Sequence, residues 1–163
     1  MELLRAMLLP CLWSFIACVG FGLVFNIHGF GVLICGFGGA LGWLAYLLVQ
    51  RLAGGDVIPA FFAAVIIAIY SEMMARERRC PVPGYLQVAL LPLVPGAGIY
   101  NAMRYCVDGQ TDLFLSTLLH TFGVAAALAI GAMLSSTVLR ILLPHLMAGK
   151  RRGEKRLQNK RGG

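Results

Sequence analysis

The chain has 163 residues, of which 59 % are hydrophobic and 13 % charged, against roughly 45–50 % and about 25 % in soluble domains. With a mean hydropathy of +0.79, that composition excludes a soluble globular domain, because a chain this short leaves about a third of its surface wet. The net charge of +7 lies mostly in seven basic residues and one acid between Lys150 and Arg161, the pattern of a cytoplasmic flank rather than of a nucleic-acid surface.

A helix needs about 20 apolar residues to cross the hydrocarbon core. Four stretches meet or approach this plainly, at residues 6–25, 30–49, 57–74 and 113–134, and the last has room to run on to about Leu143, ahead of Pro144. A fifth, at 85–105, carries Pro92, Pro95, Gly96 and Gly98 near its middle. No alternating ten-residue strands occur, so the pattern predicts an all-α bundle of about five transmembrane helices, the fourth of them broken. Residues 1–147 form this membrane domain, and 148–163 a basic, disordered cytoplasmic tail.

Arg76, Arg78 and Arg79 and the basic tail belong on the cytoplasmic side by the distribution of positive charge. The two agree only if 85–105 crosses fully, which places the N-terminus outside and the C-terminus inside. The loop at 26–29 would then be cytoplasmic without any Lys or Arg. The five cysteines show no CxxC pair and no metal-ligand spacing. The first apolar run is long for a signal peptide and reads as an uncleaved span. Gly38 and Gly42, and Gly123, Ala127, Gly131 and Ser135, repeat every four residues. Such spacing lets helices approach closely in lipid, within this chain's own bundle or toward a partner.

The most informative segment is Leu90 to Asn101, with Pro92-Leu93-Val94-Pro95-Gly96-Ala97-Gly98 at its centre. Two prolines three apart, followed by Gly-x-Gly, should break a membrane helix rather than only bend it. A break frees backbone groups and is tolerable only against a cavity or buried in protein. In transporters such breaks form substrate sites, where a half-helix N-terminus attracts a carboxylate. Polar residues inside spans are site candidates by default. His120 reads as a proton relay, a substrate contact or a hydrogen bond between helices. Glu72, with Arg76 at i+4, reads as an interfacial ion pair or as a gate or proton site. Asn26 and Asn101 either satisfy free backbone groups or touch substrate, while Asp108 and Asp112 are solvated. No catalytic triad, paired carboxylates, HExxH or phosphate loop is present, so the expectation is a transporter or structural subunit with no cofactor or metal, not an enzyme.

Phe21–Asn26, Gly39–Tyr46, Ser71–Arg76 and above all Leu91–Tyr100 together resemble the threonine/serine exporter family. The likeness runs from about Cys18 to Leu142, to its small membrane subunit, which matches the C-terminal half of the full-length exporter. The resemblance implies a secondary exporter of threonine and serine in the plasma (inner) membrane, driven by the proton gradient. It also implies a hetero-oligomer with a larger five-span subunit carrying a soluble N-terminal domain. A split pair of this kind has also been linked to dicarboxylate (succinate) export. Matching positions are Pro95, Gly96, Gly98 and Tyr100, with Asn26 and Glu72. Substrate-binding or gating residues are therefore expected among Pro92, Pro95, Gly96, Gly98, Tyr100, Asn101 and Asn26, and proton-linked ones at His120 and Glu72.

Overall fold

The computed structural model describes the backbone of residues 2–78 and 82–161, and the side chains of residues 5, 7–77, 83–139 and 141. The helices follow the apolar runs: α1 is Glu2–Val24, α2 Phe30–Ala53 and α3 Val57–Arg78. The expected fourth span is α4, Val82–Leu90, a 3-10 turn at Leu91–Leu93, and α5, Gly96–Val107; α6 is Thr111–Arg161. No strand occurs among the described residues. Four helices are long and apolar enough to cross a membrane, and the two arms of the broken span meet at 50°. The protein is an all-helical, multi-pass membrane protein.

The last helix continues without interruption into the segment where a disordered tail is the sequence expectation, and its backbone is helical to Arg161. The side chains of that segment, and Arg79, lie outside the described residues.

Packing follows the small residues. α1 lies on α2, α2 on α3, and α3 on α6, while α4 packs between α2 and α3 and α5 leans on α6. One core joins Ala60, Ala63, Ala64 and Ile67 of α3 to Ala127, Leu128 and Ala132 of α6. A second joins Cys18, Cys35, Ala75, Tyr85 and Val88. A Cβ on Gly131 would stand 2.7 Å from the Phe61 carbonyl oxygen, and one on Gly38 3.1 Å from the Tyr70 ring. A Cβ on Gly42 would collide with Ile67, whereas one on Gly123 would make ordinary contact with Val57. Ala127 and Ser135 are buried. Both small-residue rows therefore pack within this chain. The outward faces carry large apolar side chains such as Leu12, Trp13, Phe37, Leu119 and Phe122, as lipid contact requires.

Chain direction gives the bundle two ends. The α1–α2 turn, with Asn26 at φ 58°, shares one end with the close of α3. The α2–α3 loop shares the other with the close of α5.

Candidate functional site

The break in the fourth span has a local cause at each residue. Val94 is extended (φ −60°, ψ 128°), as the residue before a proline prefers. Pro95 follows at φ −75°, ψ 58°, and α5 begins at Gly96. The first i→i−4 bond of α5 is Ile99 N–H to the Pro95 carbonyl at 3.2 Å, so the amides of Ala97 and Gly98 precede the helix's own ladder. Leu93 anchors the break in the middle of the bundle, packing in the core with Ile67.

Beside the break lies a cavity of about 490 Å³, within the range typical of small-molecule sites. Pro92, Pro95, Gly96, Gly98, Asn101 and His120 all line it. Five further residues complete its polar and aromatic wall: Trp43, Tyr46, Asp56, Thr117 and Thr121.

Gly98 sits where α5 crosses α6, and a Cβ there would collide with Thr121 Oγ1, which donates to the Thr117 carbonyl at 2.6 Å. Gly96 has nothing within 4 Å of an added Cβ. Gly98→Ala is thus expected to destabilise the protein by about 1–3 kcal/mol through overpacking, and Gly96→Ala to stay within about 0.5 kcal/mol of the parent. Thermal unfolding of the purified protein in detergent checks the contrast.

Asp56 is the residue that sequence reasoning missed. Gly54 (φ 68°) and Gly55 (φ 66°) use the left-handed region that glycine tolerates, and they turn the chain back after α2. Asp56 Oδ1 then accepts from Tyr46 Oη and from Gln50 Nε2, each at 2.9 Å. Oδ2 faces His120 Nε2 at 3.5 Å, with the side chains 40 % and 55 % exposed. Trp43 stacks on Tyr46 at 5.6 Å between ring centroids, and its buried Nε1–H has no acceptor among the described residues. The available signal was Tyr46 and Gln50 one helical turn apart, followed by Gly-Gly-Asp.

Three expected site residues lie elsewhere. Tyr100 is 69 % exposed and off the cavity wall. Asn26 belongs to the α1–α2 turn at the opposite end. Glu72 is buried near that same end, 3.2 Å from Arg76 Nη2. Among the described residues no group of three or more His, Cys, Asp or Glu side chains could hold a metal ion.

A protein of Haemophilus influenzae described as uncharacterized is 25 % identical over 136 residues, covering 78 % of this chain and 46 % of its own length. The chain thus spans about half the length of this curated relative. No solved structure matches. The profile of the family described as "Threonine/Serine exporter, ThrE" matches residues 10–138, a stretch that includes both the broken span and the Asp56–His120 pair. The chain belongs to the threonine/serine exporter family.

Proposed function

We propose that this chain is one part of a proton-coupled exporter of threonine and serine in the plasma (inner) membrane. It works with a larger five-span subunit that carries a soluble N-terminal domain, and its own N-terminus is outside and its C-terminus cytoplasmic. The observation that carries the substrate reading is the charge inventory of the cavity. Its described lining contains one carboxylate, Asp56, one imidazole, His120, and no Lys or Arg.

A zwitterionic amino acid suits such a wall. Its ammonium faces Asp56, and its carboxylate faces the amides that open α5, where the helix dipole favours negative charge. A dicarboxylate would bring two negative charges toward Asp56 and would need cations in return. Arg104, the cation nearest in sequence, is paired with Asp108 at 3.7 Å and stays off the cavity wall.

The test is efflux of preloaded labelled threonine from cells lacking other exporters, with this chain expressed alone or beside the larger subunit. Faster efflux only with both chains is the expected result. No change with both proteins in the membrane removes threonine, and faster succinate efflux in the same cells transfers the site to dicarboxylates. A purely structural subunit would support the partner's flux even with the cavity wall altered.

A further inference from the structure

Asp56 occupies an unusual position for a carboxylate at a helix start. It immediately precedes α3, and its carbonyl accepts the Ala60 N–H at 3.1 Å. An aspartate there ordinarily turns its side chain onto the first amides of its own helix. This one turns away, across to α2 and α6.

Its two oxygens then have different surroundings. Oδ1 is held by two neutral donors from α2, Tyr46 and Gln50, at 2.9 Å each. These two neutral donors fix the position of the carboxylate. Oδ2 meets the cavity, where the facing donor is His120 Nε2 at 3.5 Å. That separation exceeds the roughly 2.7–2.9 Å of a formed charge-assisted bond, so imidazolium and carboxylate are close enough to couple but are not locked together.

We propose that Asp56 Oδ2 is a shared acceptor for which protonated His120 and the α-ammonium of the substrate compete. The inference rests on the amino-acid reading above and assigns the coupling to one atom. With the proton on, the imidazolium holds Oδ2 and the amino acid is excluded. When the substrate ammonium takes Oδ2, His120 loses its charge partner and releases its proton to the water in the cavity. One proton is thereby exchanged for one amino acid, with no covalent bond made or broken. Imidazole suits the part because it is the side chain that changes charge nearest neutrality.

The other groups facing His120 leave Asp56 as its charge partner. From α2 comes Tyr46, whose hydroxyl is bonded to Asp56 as is the neutral Gln50, and α5 contributes the neutral Asn101. On α6 itself the neighbours in the cavity wall are Thr117 and Thr121, and Asp112 lies two turns earlier, exposed. Arg104 and Asp108 pair with each other at the close of α5.

The experiment uses the two-chain complex and labelled L-threonine, in efflux at external pH 6 and pH 8 and in equilibrium binding to purified protein. In the parent, external acidification speeds efflux, and the apparent Kd for threonine rises by up to tenfold per pH unit, the limit for one competing proton. Asp56→Asn is expected to lose binding and flux at least tenfold at both pH values. His120→Gln is expected to bind threonine with no dependence on pH. N-acetylthreonine, which has no ammonium, should fail to compete in the parent. Should Asp56→Asn not reach the membrane, the His120→Gln slope and the N-acetylthreonine competition still decide. A parental pH slope in His120→Gln, or effective competition by N-acetylthreonine, overturns the shared acceptor while threonine export stands. A parent complex that moves no threonine overturns the export reading and this proposal with it.

Discussion

Replacing Pro92 and Pro95 together by alanine is expected to lower threonine export at least tenfold while the chain still reaches the membrane and holds its partner. Each proline disfavours a continuous helix by about 3 kcal/mol. The pair imposes the 3-10 turn, the extended Val94 and the 50° bend. With both removed, the ladder of α4 can continue toward α5, and the apolar character of the segment favours that continuation in lipid, where every backbone group seeks an internal partner. The stretch Pro92–Gly98 supplies an entire wall of the cavity, so straightening it moves that wall away from Asp56 and His120. Assembly is far less exposed to the change. α1, α2, α3 and α6 make their principal contacts with one another. Efflux per molecule of membrane-resident protein, measured beside co-purification of the larger subunit, separates the possibilities. Loss of partner and flux together would make the segment a scaffold, and unchanged flux would remove the break from the transport path.

The bundle was largely legible in the sequence because apolar run length reports directly on spans. The four uninterrupted stretches at 6–25, 30–49, 57–74 and 113–134 each became a helix, extended by a few residues at their polar ends and, in α6, much further. The break was legible because two prolines and two glycines leave the backbone few alternatives. The candidate cavity was legible only on the side that the break itself supplies. Pro92, Pro95, Gly96, Gly98, Asn101 and His120 meet in one cavity. Asp56 was hidden because its place in the cavity wall comes from a loop folding back over α2, through two left-handed glycines, and no local periodicity encodes that. Tyr100, expected beside the break, lies off this cavity's wall. Its place in the motif is close to the break, but two residues along a helix turn a side chain to the opposite face. Asn26 and Glu72 lie away from this cavity for a topological reason, since spans of alternating direction put them at the far end of the bundle.

Glu72→Ala is expected to destabilise the protein by about 3 kcal/mol, the low end of the range for breaking a buried pair. Glu72 is 1 % exposed and lies one turn from Arg76, its Oε1 3.2 Å from Arg76 Nη2. An ionised side chain at membrane depth persists only with a partner, and removing the carboxylate strands a guanidinium whose side chain is 32 % exposed. That partial exposure keeps the effect below the upper end of the range. The neighbouring Ser71 and Ala75 are fully buried, so α3 has little freedom to carry Arg76 to the surface. Glu72→Leu combined with Arg76→Leu should recover much of the loss, because exchanging a whole buried pair for apolar side chains is often neutral. Thermal unfolding in detergent measures both variants. The same residue provides a sharp control on the coupling site. Glu72→Gln keeps the volume and one hydrogen-bonding oxygen but cannot titrate. If the coupling proton resides at His120 beside Asp56, the molecules of this variant that fold still respond to external pH. A well-folded Glu72→Gln complex whose threonine flux no longer depends on pH would place the proton at the other end of the bundle, against the Asp56–His120 assignment.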